Sequence, residues 1–107
     1  MKVYFLRTGG FAGTRLSLAL NTDELGEEEA GQIRRLVEAS GFFELDAHEV
    51  RASPAPDRFE YRLAIRSQVW GEREMLLPES TLPDELRPLV EHLTALAMRG
   101  PDSRRGN

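Results

Sequence analysis

Three glycines fall within five residues at Gly9-Gly10-Phe11-Ala12-Gly13, and alternating segments flank them on both sides. Glycine reaches φ > 0 without steric penalty, so a glycine-rich piece between two strand-like runs reads as a turn. In the run before it, Lys2 to Thr8, Val3, Phe5 and Arg7 share one face and Lys2, Tyr4 and Leu6 the other. In the run after it, Thr14 to Asn21, Leu16, Leu18 and Leu20 lie opposite Arg15, Ser17 and Ala19. The result is a hairpin with one leucine-rich side, and a two-stranded hairpin is not stable alone in water. That side requires cover. The turn is long for a hairpin and has an apolar tip. Phe11 either folds back onto the core or is held out towards a partner. Burial in either place is worth about 1.5–3 kcal/mol, so residue type alone does not choose.

The cover follows in the chain. Asn21 and Thr22 are helix-capping types, and Asp23, Glu24, Glu27, Glu28 and Glu29 cluster where carboxylates complement a helix dipole. Ala30, Ile33, Leu36 and Val37 recur at helical spacing, and Gly41 is placed to end the helix. Phe42, Phe43 and Leu45 form an apolar knot expected to plug the core. From Asp46 to Asp57 the prolines predict a surface loop. Arg58 to Ser67 alternates most cleanly, with Phe59, Tyr61, Leu63 and Ile65 opposite Arg58, Glu60, Arg62, Ala64 and Arg66. A one-residue slip would bury the arginines, which pins the register. Gln68 to Gly71 is the expected turn into a fourth strand, Glu72 to Leu77. Trp70 sits at that turn, either packed on the sheet edge or exposed as a contact aromatic. Pro83 suits the first turn of a helix, but Pro88 does not suit its interior. A short 3₁₀ turn is therefore expected, then a regular helix from about Arg87. Its buried stripe is Leu86, Leu89, Val90, Leu93 and Ala97, flanked by Leu96.

The order β-β-α-β-β-α predicts an α+β fold, a four-stranded antiparallel sheet with two helices packed on one face. The chain has 107 residues, which is enough for a single core. Residues 1–99 are expected to form one domain and residues 100–107 a disordered tail. The formal net charge of −4 argues against nucleic acid, whose phosphates require a positive field. With no cysteine, disulfides, thiolate nucleophiles and cysteine-ligated zinc are excluded, and a cytoplasmic location is expected. No apolar run approaches the roughly 18 residues that span a membrane.

Catalytic constellations are lacking. His48 and His92 belong to no metal-binding pattern, and Glu91-His92 reads as a solvated pair on the last helix. Gly9-Gly10-x-x-Gly13 lacks the lysine and the following helix of a phosphate loop. The acidic run from Asp23 to Glu29 lacks the spacing of a calcium loop. The residues predict a binding module without metal or cofactor, not an enzyme, and its candidate surface is the apolar tip of the glycine hairpin.

Three segments resemble a known family. Arg7-Thr8-Gly9-Gly10-Phe11-Ala12-Gly13 after a short first strand is similar to the signature of emfourin-type proteins. Asp57-Arg58-Phe59-Glu60-Tyr61 leading into a strand is similar too, as is Leu82-Pro83-Asp84-Glu85-Leu86-Arg87-Pro88-Leu89 opening the last helix. Together they span Met1 to Leu96 in the family's order. Trp70 stands where the family more usually has an acidic or glycine turn. The resemblance implies a small inhibitor of thermolysin-like (protealysin-like) zinc metalloproteases, which have an apolar pocket beside the zinc. It makes such a protease the expected partner. Gly9, Gly10, Phe11, Ala12 and Gly13, with Trp70, become the candidate protease-binding residues, and blockade of the cleft the expected mode. The free chain is expected to be a monomer. The alternative is a non-inhibitory interaction or regulatory module.

Overall fold

The computed structural model describes residues 1–10, 14–46 and 58–99. Its main elements are β1 (Lys2–Gly9), β2 (Thr14–Asn21), α1 (Glu27–Ser40), β3 (Phe59–Ser67), β4 (Gly71–Pro78) and α2 (Arg87–Arg99). The strands form one antiparallel sheet in the order β2-β1-β3-β4. The two halves of the chain thus meet through their first strands, and β1 and β3 occupy the centre. The α+β architecture is the one the element order predicts. The expectations for Phe11, Ala12 and Gly13, for positions 47–57 including His48, and for the 100–107 tail lie outside the described residues.

Register puts one set of side chains under the helices. Leu20, Val3, Ile65 and Arg73 form one row across the sheet; Leu18, Phe5, Leu63 and Met75 the next; Leu16, Arg7, Tyr61 and Leu77 the third. Val3, Leu63, Ile65 and Leu77 are fully buried there, against Ile33 and Val37 of α1 and Leu89, Val90 and Leu93 of α2. The alternation of Arg58 to Ser67 is the pattern a sheet covered on one face selects. Phe5 stacks on Tyr61 with ring centroids 5.8 Å apart, within the favourable range for aromatic pairs.

The first helix starts later than its capping residues suggest. The Asn21 side chain accepts the Asp23 N–H at 3.0 Å, which caps a separate 3₁₀ turn over Thr22–Glu24. Leu25 and Gly26 are extended, and α1 begins at Glu27 without a side-chain cap. Leu25 packs against the core, so the extended break serves to bring its side chain inward. Only Glu27, Glu28 and Glu29 therefore fall in the first turn. Gly41 ends α1 in the left-handed region, at φ 67° and ψ 23°. Ser40, itself buried, ties that end together. Its hydroxyl donates to the Val37 carbonyl at 2.6 Å and accepts the Phe42 N–H at 3.2 Å. At the other end of the chain a 3₁₀ turn over Asp84–Leu86 precedes α2, whose Leu89, Val90, Leu93 and Ala97 are buried. This is the break that Pro88 requires.

Candidate functional site

The site begins where β1 ends. Gly9 lies between two strands, opposite Thr14 of β2 and Phe59 of β3. Gly9 has φ 101° and Gly10 φ 78°, so the chain leaves the sheet through two residues in a region that L side chains rarely adopt. A Cβ at Gly9 would stand 2.6 Å from the Arg58 carbonyl oxygen, and one at Gly10 2.9 Å from the Phe59 ring. Both glycines are demanded by close approach as well as by φ. The Gly10 N–H donates to the Arg58 carbonyl at 3.2 Å, which extends the β1–β3 pairing past the end of the sheet.

Phe59 is the other half of this stem. The Arg7 guanidinium lies 4.1 Å above the Phe59 ring centroid, a cation–π contact. The Phe59 N–H donates to Glu79 Oε1 at 3.0 Å, so the start of β3 is held from the end of β4. Arg7, Gly10, Phe59 and Glu79 form one chain of contacts around the base of the glycine segment. Next to it, burial pushes the Tyr61 phenol up from its ordinary value, and the Glu79 carboxylate adds to that.

Trp70 is elsewhere. Lys2 of β1 pairs with Arg66 and Gly9 pairs with Phe59, so the turn after Ser67 lies at the Lys2 end of the sheet. Gly9 and Gly10 sit at the opposite end, about 25 Å away over the eight residues of a strand. The structure brings Gly9 and Gly10 together with Phe59, and it does not bring Trp70 to them. Trp70 instead packs on Phe43 with the rings tilted and centroids 5.8 Å apart, and Phe43 meets Phe42 edge-on at 5.4 Å. Ser67 Oγ accepts the N–H groups of Val69 and Trp70, which shapes that turn. Val69 is 83% exposed at its tip and Trp70 36%.

The chain belongs to a known family. Its sequence matches the Emfourin family model over residues 5–94, a span that contains the glycine stem, Phe59 and the opening of α2. It is an emfourin-family chain. No curated protein matches it. Among solved structures, emfourin (M4in) from Serratia proteamaculans, an M4 family peptidase inhibitor, is 20% identical to it. That match covers 83% of this chain and 84% of the other, with a TM-score of 0.47.

The rest of this emfourin-family chain holds two residues that sequence reasoning misplaced or missed. His92 is half-buried instead of solvated beside Glu91, and its Nε2 atom is buried with no hydrogen-bond partner among the described residues. Burial lowers its pKa from 6.5, Arg99 adds to that, and Glu29 opposes it. The folded state therefore takes up this proton less readily than the unfolded chain. Stability is intact above the unfolded value and falls as pH drops through it. Between pH 7.5 and 5.5 the melting temperature of the native chain should decline, and His92→Leu should flatten that decline; thermal melts across the window measure both.

Arg73 is the missed residue. It lies on the covered side of edge strand β4, and its guanidinium donates to the Phe42 carbonyl at 3.1 Å and to the Leu45 carbonyl. Between Glu72 and Glu74 it reads as one more surface charge, yet it alternates in phase with Met75 and Leu77. An inward-pointing charge of this kind also protects an edge strand from pairing with other chains. Among the described residues no group of three or more histidine or acidic side chains is placed to hold a metal ion, and no helix is long and apolar enough to cross a membrane.

Proposed function

We propose that this chain inhibits thermolysin-like zinc metalloproteases by lodging its glycine-loop end in the active-site cleft, with Phe11 as the anchor in the apolar pocket beside the zinc. Membership of the emfourin family carries this reading. The stem geometry supports it. Gly9 and Gly10 are held against β3 by the Arg58 carbonyl and the Phe59 ring, so the base of the loop is shaped before a partner arrives. A preorganised loop loses less entropy on binding than a free one. A loop that cannot relax in the cleft also makes a poor substrate.

In this mode Gly9, Gly10, Phe11, Ala12 and Gly13 carry the contact. Trp70, a strand's length away on Phe43, is assigned to packing. A nanomolar complex requires about −12 kcal/mol, and one anchor accounts for about 2–4 kcal/mol on truncation. Neighbours must share the contact, and Arg58, exposed just before β3, is a charged group beside the stem. No zinc-binding side chain stands in the glycine segment, so blockade is steric.

The test is inhibition of a thermolysin-like protease acting on a peptide substrate. Phe11→Ala should weaken inhibition by about 30- to 1,000-fold with an unchanged circular dichroism spectrum. Trp70→Ala should leave the inhibition constant within about threefold while lowering the melting temperature. Full inhibition by folded Phe11→Ala removes the anchor. No inhibition by the native chain removes the proposal and leaves a non-inhibitory module.

A further inference from the structure

The glycine stem is held through one peptide group, the unit between Arg58 and Phe59. Its carbonyl accepts the Gly10 N–H at 3.2 Å, and its N–H donates to Glu79 Oε1 at 3.0 Å. A trans peptide is planar, with its C=O and N–H pointing in opposite directions. The same rigid plate therefore reaches the β1 side with one end and the end of β4 with the other. Neither end can tilt without moving its counterpart.

The pairing explains why a side chain is needed here. The last β3–β4 pair is Glu60 with Pro78, so the next rung would set Phe59 against residue 79. The chain does not continue as strand at that point. It bends into a 3₁₀ turn over Glu79–Thr81, and the Glu79 backbone carbonyl accepts the Leu82 N–H instead. An unpaired backbone N–H away from water costs about as much as a lost hydrogen bond. The Glu79 carboxylate takes the place of the missing carbonyl, and the ladder gains one rung beyond the end of its strand. Hydrogen bonds to a carboxylate are also stronger than neutral ones.

That rung bears directly on the two glycines. The Arg58 carbonyl oxygen is the atom that a Cβ at Gly9 would meet at 2.6 Å, and the Phe59 ring is what a Cβ at Gly10 would meet. The Arg7 guanidinium holds the ring from its face. Arg7 thus fixes the side chain of Phe59 and Glu79 fixes its backbone, and Gly9 and Gly10 lie against both.

We infer that Glu79 is a positioning residue for the glycine loop: by fixing the Arg58–Phe59 peptide from the β4 side, it sets where the chain leaves the sheet at Gly9 and Gly10. It acts through Phe59. Its role in inhibition rests on the reading of the glycine end as the protease contact.

Hydrogen exchange followed by NMR reads the positioning without any protease. In Glu79→Ala the Gly10 amide should exchange about tenfold faster or more, the scale of one charge-assisted hydrogen bond lost. The Leu63 and Ile65 amides, in the middle of β3 between two partner strands, should keep their native rates. Glu79→Gln keeps an acceptor oxygen and should bring Gly10 back to within about threefold of native. Against a thermolysin-like protease, Glu79→Ala should weaken inhibition by about tenfold or more and Glu79→Gln should restore it. Glu74→Ala removes only the exposed ion pair with Arg62 and should change neither readout. A Gly10 amide unmoved in Glu79→Ala overturns the inference. So does equal acceleration at Gly10, Leu63 and Ile65, which is general loosening of the sheet, or failure of Glu79→Gln to restore Gly10. Unchanged inhibition by Glu79→Ala with Gly10 freed overturns it as well, and there the loop reading survives if Phe11→Ala still weakens inhibition. A native chain that inhibits no such protease overturns that reading, and the role of Glu79 in inhibition with it.

Discussion

Phe42→Ala is expected to lower the unfolding free energy by about 3–5 kcal/mol, the range for deleting a fully buried aromatic side chain. Phe42 has no exposed surface. It sits just after the αL turn at Gly41, at the end of α1, and Ser40 Oγ accepts its N–H. Its carbonyl accepts a hydrogen bond from Arg73, so the residue joins α1, the core and edge strand β4. Truncation leaves a cavity where three elements meet, and a helix and a sheet cannot both collapse into it. In a domain this small the total stability is about 5–15 kcal/mol, so the loss is a large share of it. Phe43→Ala is the control. Phe43 is only half-buried and its main partners are the rings of Phe42 and Trp70, so its loss should be less than half as large. Urea denaturation of both variants measures the difference. Equal losses would mean that the Trp70 turn, and not Phe42, holds this end of the sheet.

That pair of aromatics shows what the sequence exposes and what it hides. Phe42 and Phe43 are legible as a plug because an exposed pair of adjacent phenylalanines is a hazard unless a partner covers it. Which of them is central is not legible, because it depends on the turn that carries Trp70 lying over Phe43. The elements themselves are local. The alternation from Arg58 to Ser67, the stripe from Ala30 to Val37 and the clash between Pro83 and Pro88 each follow from periods of two or 3.6 residues or from one ring. Strand order is not local. The pairing of β1 with β3 joins residues fifty or more positions apart, and no turn signal records it. It nevertheless decides the site, since it puts Phe59 against Gly10 and sends Trp70 to the far end. Phe59 looks like one more inward residue of an alternating strand. Only its register against Gly9 turns it into the wall of the glycine stem.

Gly9→Ala is expected to be the most damaging single-methyl change in the chain, at about 2–5 kcal/mol. Part of the penalty is conformational, since φ 101° is outside the range of an alanine. Part is steric, since the added Cβ would stand 2.6 Å from the Arg58 carbonyl oxygen. That oxygen is backbone, and it also accepts the Gly10 N–H, so it cannot swing away without breaking the pairing beyond the sheet. The same methyl at Gly31 should act in the opposite direction. Gly31 lies inside α1, and its Cβ would meet only the end of the flexible Arg35 side chain, at 3.4 Å. Removing a helix-interior glycine should raise stability by about 0.5–1 kcal/mol. Thermal and urea melts of the two variants, set against the native chain, read this reversal of sign. The stem also links stability to the proposed inhibition. Relief of the Gly9→Ala clash should push Phe59 and the glycine loop out of position. A protease that the native chain blocks should then be inhibited less, or should cleave the variant within the loop, at concentrations and temperatures where the variant is still folded. Gly31→Ala should inhibit as the native chain does. If Gly9→Ala is destabilised as expected yet inhibits unchanged and uncleaved, the loop's shape is not set by its stem, and preorganisation has to be sought in the loop residues themselves.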